Sequence, residues 1–394
     1  MRVASCDVET TTHSTGNPYD SRNKMVMAGV YDGDNHEIYS IEYSDEPYGK
    51  QIELLRSSLD SCDLIVFFNA KFDLNWLRNY GIDYTNYRIW DCQLAHFILT
   101  YQSNPYPSLG GVAEYYNLGS KIDKIAEYWD NGVQTNEIPY DELEEYLKQD
   151  LSLTLQVYYK QQEELQSKPH LKHLMNLSMM DTIVLADMEF AGIKYDFSLS
   201  ETRAKELTSK VKTIDEALLG LYDIDGINWN SNDHLSAILY GGVLKVPFRE
   251  TYERVLKDGT VRVRERNAEK EIKMERLVGP LKGTETAKSK DLREQGKREG
   301  ESIWSVSEDI LSSLKAKGKA KEIIKLVLER SLLDKELNTY ALGLPKLYEE
   351  KHYTDNMIHG NFNQCVARTG RLSSSQPNLQ NPSAAIKYCF ISRY

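Results

Sequence analysis

Apolar runs separated by turn-forming residues divide the first hundred positions into short alternating elements. Val3-Ala4-Ser5-Cys6 reads as a first strand that ends in polar residues. Met25 to Val30 with Tyr31, and His36 to Tyr43, read as two strands joined by the turn Asp32-Gly33-Asp34-Asn35. Residues 51–60 predict a helix. The continuous apolar run DLIVFF, residues 63–68, has the character of a buried central strand. A helix is expected from Asp73 to about Tyr80, stopped by Gly81. From 88 to 165 the pattern is mostly helical, with a Pro-broken loop at 103–108. It closes in a long helix, Tyr140 to Ser167, that ends before Pro169.

Further helices are expected over 171–222, interrupted by AGIKYD, residues 191–196, which reads as a short hairpin. Residues 249–302 are dense in charge and Gly and poor in large apolar groups. They read as a surface insertion, partly mobile. Helices near 307–317 and 319–340 follow. No internal repeat is evident.

A length of 394 residues suffices for two or three domains with real cores. No run approaches the ~18 apolar residues of a membrane span, and residues 1–30 carry no secretory pattern. The five cysteines form no CxxC, against a zinc knuckle or a disulfide framework; a cytoplasmic setting fits. Charge is uneven. Residues 1–150 hold 25 acids and 11 bases, whereas the remainder holds 34 acids and 37 bases. No acid follows Asp355. Cations are the expected partners of the N-terminal part and phosphates those of the C-terminal part.

Asp7 and Glu9 lie one residue apart, so a strand presents both on one face. Two carboxylates there repel unless a cation or proton lies between them, and a hard divalent ion takes oxygen ligands. Alone, the pair reads equally well as a solvated surface. Asp73, in NAKFD after the apolar strand, lies where open α/β sheets put their sites, but also fits a helix N-cap. Tyr146 and Asp150, in YLKQD, share a helical face, as do many ordinary pairs. Asp91 reads as a helix cap, and residues 108–123 as helical core. His170 and His173 offer no zinc site.

Taken in order, DxE, NxxxD and YxxxD resemble the DEDD superfamily of 3′→5′ exonucleases, in the subgroup whose last motif carries a Tyr. The resemblance implies two-metal phosphodiester hydrolysis with two Mg²⁺ or Mn²⁺. Asp7, Glu9 and Asp150 would hold one ion, and Asp7 with Asp73 the other. Tyr146 would orient the attacking water, and Thr10 and Asn69 would touch the terminal nucleotide.

A second resemblance covers most of the remainder. INWNSNDHLSAILYGGVLKVP (227–247), WSVSEDILSSL (304–314), LLDKELNTYALGLPKL (332–347) and above all IHGNFNQCVARTGRLSSSQPNLQNP (358–382) resemble the thumb and the opening of the palm of family A DNA polymerases. It implies an α/β ribonuclease H-like exonuclease domain over 1–168, with a mixed central sheet flanked by helices. A mostly α-helical linker and thumb would follow over 169–345, with the charged insertion at about 249–302. The start of a palm, truncated, would occupy 346–394. DNA is the implied partner, both as a single-stranded 3′ end and as a primer–template duplex. Asn228 and Ser231 would sit near the duplex backbone. Arg371 can donate to minor-groove acceptors, and Asn378, Gln380 and Asn381 suit sugar, phosphate or groove contacts.

The family's polymerase aspartates and its nucleotide-binding Lys do not occur in these 394 residues. Polymerisation by this chain alone is therefore not expected, and a separate palm-and-fingers polypeptide is the anticipated partner. Ile386, Tyr388, Phe390 and Ile391 are expected to be exposed. The expected function is a proofreading 3′→5′ exonuclease working in DNA replication. The alternative is a non-catalytic DNA-binding or assembly subunit, and a third reading is an RNA-trimming exonuclease.

Overall fold

The computed structural model describes residues 1–43, 48–119, 125–222, 224–255, 261–294, 303–383 and 386–393. The chain divides into two compact units, Met1–Phe197 with Leu344–Tyr394, and Ser198–Gly343.

The first unit is built on a five-stranded mixed sheet. Its strands are β1 (Val3–Thr10), β2 (Met25–Tyr31), β3 (His36–Ser40), β4 (Leu64–Phe67) and β5 (Ile89–Asp91), in the order β3-β2-β1-β4-β5. β1 pairs antiparallel with β2 and parallel with β4. The β2–β3 turn forms as the sequence suggests: Asp32 Oδ1 accepts from the backbone N–H of Asp34 (3.2 Å) and Asn35 (3.0 Å), and Gly33 takes φ +103°.

Helices cover both faces. α1 (Tyr48–Asp60) and α2 (Ala70–Asn79) join the even positions of β1, where Ala4, Cys6 and Val8 are buried with Leu55, Leu59, Leu74 and Leu77. α3 (Cys92–Leu99), α4 (Leu109–Tyr115), α5 (Ile125–Asp130) and the long α6 (Tyr140–Ser167) follow. α6 crosses the other face: Ser5 Oγ donates to the Leu151 carbonyl (2.8 Å), and Leu143, Leu147 and Leu151 cluster with Val26 and Met27. α4 buries Val112 and Ala113 as expected of a core segment; residues 120–123 of that segment lie outside the described residues.

α7 (Lys172–Ala191) leads into the two-residue strand β6 (Ile193–Lys194). AGIKYD does not fold back on itself as expected. Gly192 turns the chain at φ +60°, and β6 pairs instead with a strand more than 160 residues later.

In the second unit, α8 (Phe197–Leu221) and α9 (Asn232–Tyr240) precede a pair of long antiparallel strands, β7 (Gly242–Val255) and β8 (Val261–Met274). The first part of the charged insertion read at 249–302 is thus a regular two-stranded ribbon, most of it exposed. α10 (Ala287–Glu294), α11 (Glu308–Ser313) and α12 (Gly318–Lys335) follow, and α12 continues as a π-helical turn, Glu336–Ala341. Ile214, Leu218, Ile238, Leu239, Ile323 and Val327 form the centre of this unit.

α13 (Gly343–Glu350) returns the chain to the first unit, where β9 (Met357–Ile358) pairs with β6 and β10 (Asn361–Asn363) with β11 (Ser373–Ser375). The last residues are less exposed than the sequence suggested. Ile386 is buried, and Phe390 is half-buried with its ring 5.1 Å from that of Tyr195. The reason is backbone pairing: Asp196 N donates to Cys389 O (2.8 Å) and Ile391 N to Lys194 O (3.0 Å). Tyr388 and Ile391 do remain exposed.

Candidate active site

β1 runs through the middle of the sheet and carries polar side chains on one of its two covered faces. Asp7 lies opposite Gly29 and Glu9 opposite Met27 in the β1–β2 register. Directly paired residues share a face, so Asp7 and Glu9 look toward α6. Gly29 explains how α6 comes so near. A Cβ at that position would stand 2.5 Å from Leu151 Cδ1 and 3.2 Å from Leu147 Cδ2. The absent side chain lets the helix settle on the strand directly across from Asp7.

α6 thereby delivers Asp150 and Tyr146, neighbours of Leu151 and Leu147, to the same face. Asp150 is buried, and Tyr146 is half-buried with its ring edge-to-face on Trp129 at 5.9 Å. Glu9 is buried as well, and its charge helps burial to push the Tyr43 hydroxyl above its ordinary range.

Asp73 arrives from the open edge of the sheet. β4 pairs with β1 only at Val3 to Ser5, so the backbone of β1 beyond Ser5 is free on that side. Asp73 Oδ1 takes up the Val8 N–H there at 3.1 Å. The expected N-cap role is not what the helix gives it. α2 starts at Ala70, three residues earlier, behind Asn69 in the left-handed region at φ 65°. Asp73 is only 1% exposed. Burial first, and the charge of Asp7 next, push its carboxyl well above the ordinary range.

Asp91 does more than the cap read from the sequence. Its carboxylate accepts from Gln93 N (2.9 Å) and Leu94 N (3.2 Å), capping α3, and also from Asn69 N (3.1 Å) and Ala70 N (2.9 Å). One buried carboxylate therefore fixes the starts of both helices, and through α2 it positions Asp73. The tertiary bonds leave no trace in local sequence, so sequence reasoning could find only the cap.

Asp7, Glu9 and the Val8 amide that holds Asp73 thus lie toward one end of β1, and Asp150 lies on the helix that covers that face. Among the described residues, no group of three or more His, Cys, Asp or Glu side chains stands ready as a metal cage. The chemistry of the donors still suits a hard divalent cation, since all four offer carboxylate oxygen. Burial, and after it the charge of Asp7, raise the Asp73 carboxyl, and a bound cation would offset both.

Thr10 is buried, its hydroxyl donating to the Thr11 carbonyl at 3.2 Å. Asn69 lines a polar cavity of about 380 Å³ together with Ser14, Tyr19, Phe72, Asn75 and Gln376; none of the four carboxylates lines it. Arg371, Asn378, Gln380 and Asn381 are exposed near β11 in the first unit. Asn378 Oδ1 accepts from Gln380 N (3.0 Å), and the Gln380 amide donates to the Leu372 carbonyl (3.3 Å). In the second unit Asn228 and Ser231 serve their own backbone. Asn228 Oδ1 accepts from Asn230 N (2.9 Å), and Ser231 caps α9 by accepting from His234 N (3.4 Å). Among the described residues no helix is long and apolar enough to cross a membrane.

Comparison with known proteins gives two family matches, a 3′-5′ exonuclease over residues 2–166 and DNA polymerase family A over residues 284–393. DNA polymerase I of Synechocystis sp. is 28% identical over 323 residues, 80% of this chain and 26% of that protein. DNA polymerase I of Bacillus subtilis is 25% identical over 317 residues, 80% of this chain and 29% of that protein. The DNA polymerase of Bacillus phage SP01 is 23% identical over 391 residues, 92% and 39%. The chain spans well under half the length of these relatives. In fold it is similar to the POL domain of Pol1 from M. smegmatis, solved in complex with DNA primer-template and dNTP. The TM-score is 0.66 and the identity 18%, covering 98% of this chain and 54% of that one.

Proposed function

Since residues 284–393 match DNA polymerase family A and residues 2–166 a 3′-5′ exonuclease, we propose that the chain is a family A polymerase segment that removes nucleoside monophosphates from DNA 3′ ends as a proofreading unit. The observation that supports this is the Asp73 carboxylate on the Val8 N–H, between Asp7 and Glu9 in sequence, with Leu147 and Leu151 of α6 seated on Gly29 opposite Asp7.

Asp7, Glu9 and Asp150 would hold one Mg²⁺ or Mn²⁺, and Asp7 with Asp73 a second. When bound, such a pair activates water and stabilises the departing 3′ oxygen. The chain's own residues do the rest. Tyr146, held edge-to-face against Trp129, would direct its hydroxyl at the attacking water. Thr10 and Asn69 receive the terminal nucleotide. Asp91, through the start of α2, keeps Asp73 in place. Arg371, Asn378, Gln380 and Asn381, with Asn228 and Ser231 in the second unit, hold primer–template.

The test is hydrolysis of a 5′-labelled single-stranded DNA in Mg²⁺. A ladder shortening from the 3′ end is expected, and EDTA or Asp7→Ala with Glu9→Ala should abolish it. Tyr146→Phe should lower kcat by roughly 10- to 100-fold, within the span of a single positioned catalytic group, and leave KM unchanged. The alternative is a non-catalytic DNA-binding or assembly subunit. DNA bound but left intact would select it. RNA degraded in preference to DNA would select an RNA-trimming role. Primed template and deoxynucleotides should give no extension, and extension by this chain alone would refute that part of the account.

A further inference from the structure

The ribbon of β7 and β8 lies outside the residues matched by either family, and the hydrolytic site makes no use of it. Its register is unbroken from Gly242 opposite Met274 to Val255 opposite Val261. Only the base is packed: Leu244, Val246 and Met274 are buried in the second unit's core. Farther out most described side chains are exposed. A two-stranded ribbon of this kind is marginally stable by itself. Cross-strand ion pairs support it: Lys245–Glu271 (2.8 Å), Arg249–Glu265 (3.2 Å) and Arg266–Glu250 (2.7 Å).

Its charge is sorted by face. Alternate positions share a face, and so do directly paired residues. The register places Arg254, Arg262, Arg264, Arg266 and Lys270 on one face with a single acid, Glu250. The opposite face carries Lys245, Arg249 and Lys273 against Glu253, Glu265, Glu269 and Glu271. The formal net charges are therefore +4 and −1. Two aromatics, Phe248 and Tyr252, fall on the basic face, with the Arg266 guanidinium 5.4 Å from the centre of the Tyr252 ring. Solubility alone asks for mixed signs on both sides.

We propose that this face grips the phosphate backbone of nucleic acid, without sequence preference, and so lengthens the footprint of the chain on DNA. Arginine spaced with aromatic rings is the composition that tracks a phosphate chain. The proposal rests on the reading that the chain handles DNA, but not on its hydrolytic chemistry.

The test measures binding of the full chain to a fluorescent 30-base-pair duplex in EDTA, where no hydrolysis occurs, across a salt series. Arg254→Gln, Arg262→Gln, Arg264→Gln and Arg266→Gln together should weaken binding at least tenfold at moderate salt. They should make the slope of log K against log [salt] shallower by about 3.6, at about 0.9 for each phosphate no longer neutralised. Lys245→Gln, Arg249→Gln and Lys273→Gln, on the opposite face, should stay within twofold. Circular dichroism checks the fold. If the quadruple variant misfolds, Arg262→Gln and Arg266→Gln singly should each lower the slope by about 1. Equal losses from the two faces, or no loss from the basic face, would overturn the proposal. Failure of the hydrolysis reading would show only in the labelled-strand assay.

Discussion

Gly29→Ala tests whether the seat of α6 sets the site. The added Cβ would stand 2.5 Å from Leu151 Cδ1, 3.2 Å from Leu147 Cδ2 and 3.2 Å from Ile38 Cδ1, against an ordinary contact of 3.4–4 Å. The worst contact is therefore short by about 1 Å, and Leu151 and Leu147 are fully buried. Overpacking of this kind costs about 1–3 kcal/mol. If α6 lifts to relieve it, Asp150 and Tyr146 lift with it. A displacement of about 1 Å can cost ~10²-fold in rate. Urea unfolding should show a lower midpoint, and single-turnover hydrolysis of a labelled single strand should slow by one to two orders of magnitude. Gly220→Ala, where nothing lies within 4 Å, should leave the rate alone. A Gly29→Ala protein that is less stable but equally fast would refute the link between the α6 seat and catalysis.

Two further outcomes follow from buried charge. Burial alone would raise the Asp20 carboxyl. The bonds from the Arg22 side chain and backbone and from the Ser14 hydroxyl outweigh it and hold the carboxyl at about 2. A group depressed in this way stabilises the fold above the ordinary carboxylate pKa and loses that contribution as pH falls from about 4 to about 2. Its worth is at most about 2 kcal/mol, reduced by the half-open Arg22 end, so the gap in urea midpoint between wild type and Asp20→Asn should close across that window. A gap that persists at pH 2 would contradict this. Lys71 and Glu189 form a largely buried pair, and Glu189 also accepts from Phe362 N (2.6 Å). Glu189→Gln should cost about 3–5 kcal/mol by stranding the lysine. Adding Lys71→Met should recover part of it, and strictly additive losses would argue against coupling.

Much of the site was legible because strands and helices have fixed periods. Asp7 and Glu9 at i and i+2, and Tyr146 and Asp150 at i and i+4, fall on single faces of the elements their neighbours predict. Asp73 was legible as a residue but not as a position, because α2 starts behind a left-handed Asn69 that local pattern does not announce. Gly29 and Asp91 act across the fold, so their roles appear only once β1, α2 and α6 are assembled. The β7–β8 ribbon was missed because charge dominates its outer half, although Val261-Arg262-Val263-Arg264 alternates apolar with polar as a strand does. The burial of Ile386 depends on backbone pairing with residues near 195, which no local signal reveals.

The most direct measurement is a titration of the chain with Mn²⁺ in the presence of a nucleoside 5′-monophosphate, following free ion by electron paramagnetic resonance. Two ions should bind the wild-type chain, and neither should bind tightly once Asp7 and Glu9 are both alanine. Binding that is the same in the two proteins, or absent from the wild type, would contradict a two-ion site at the end of β1.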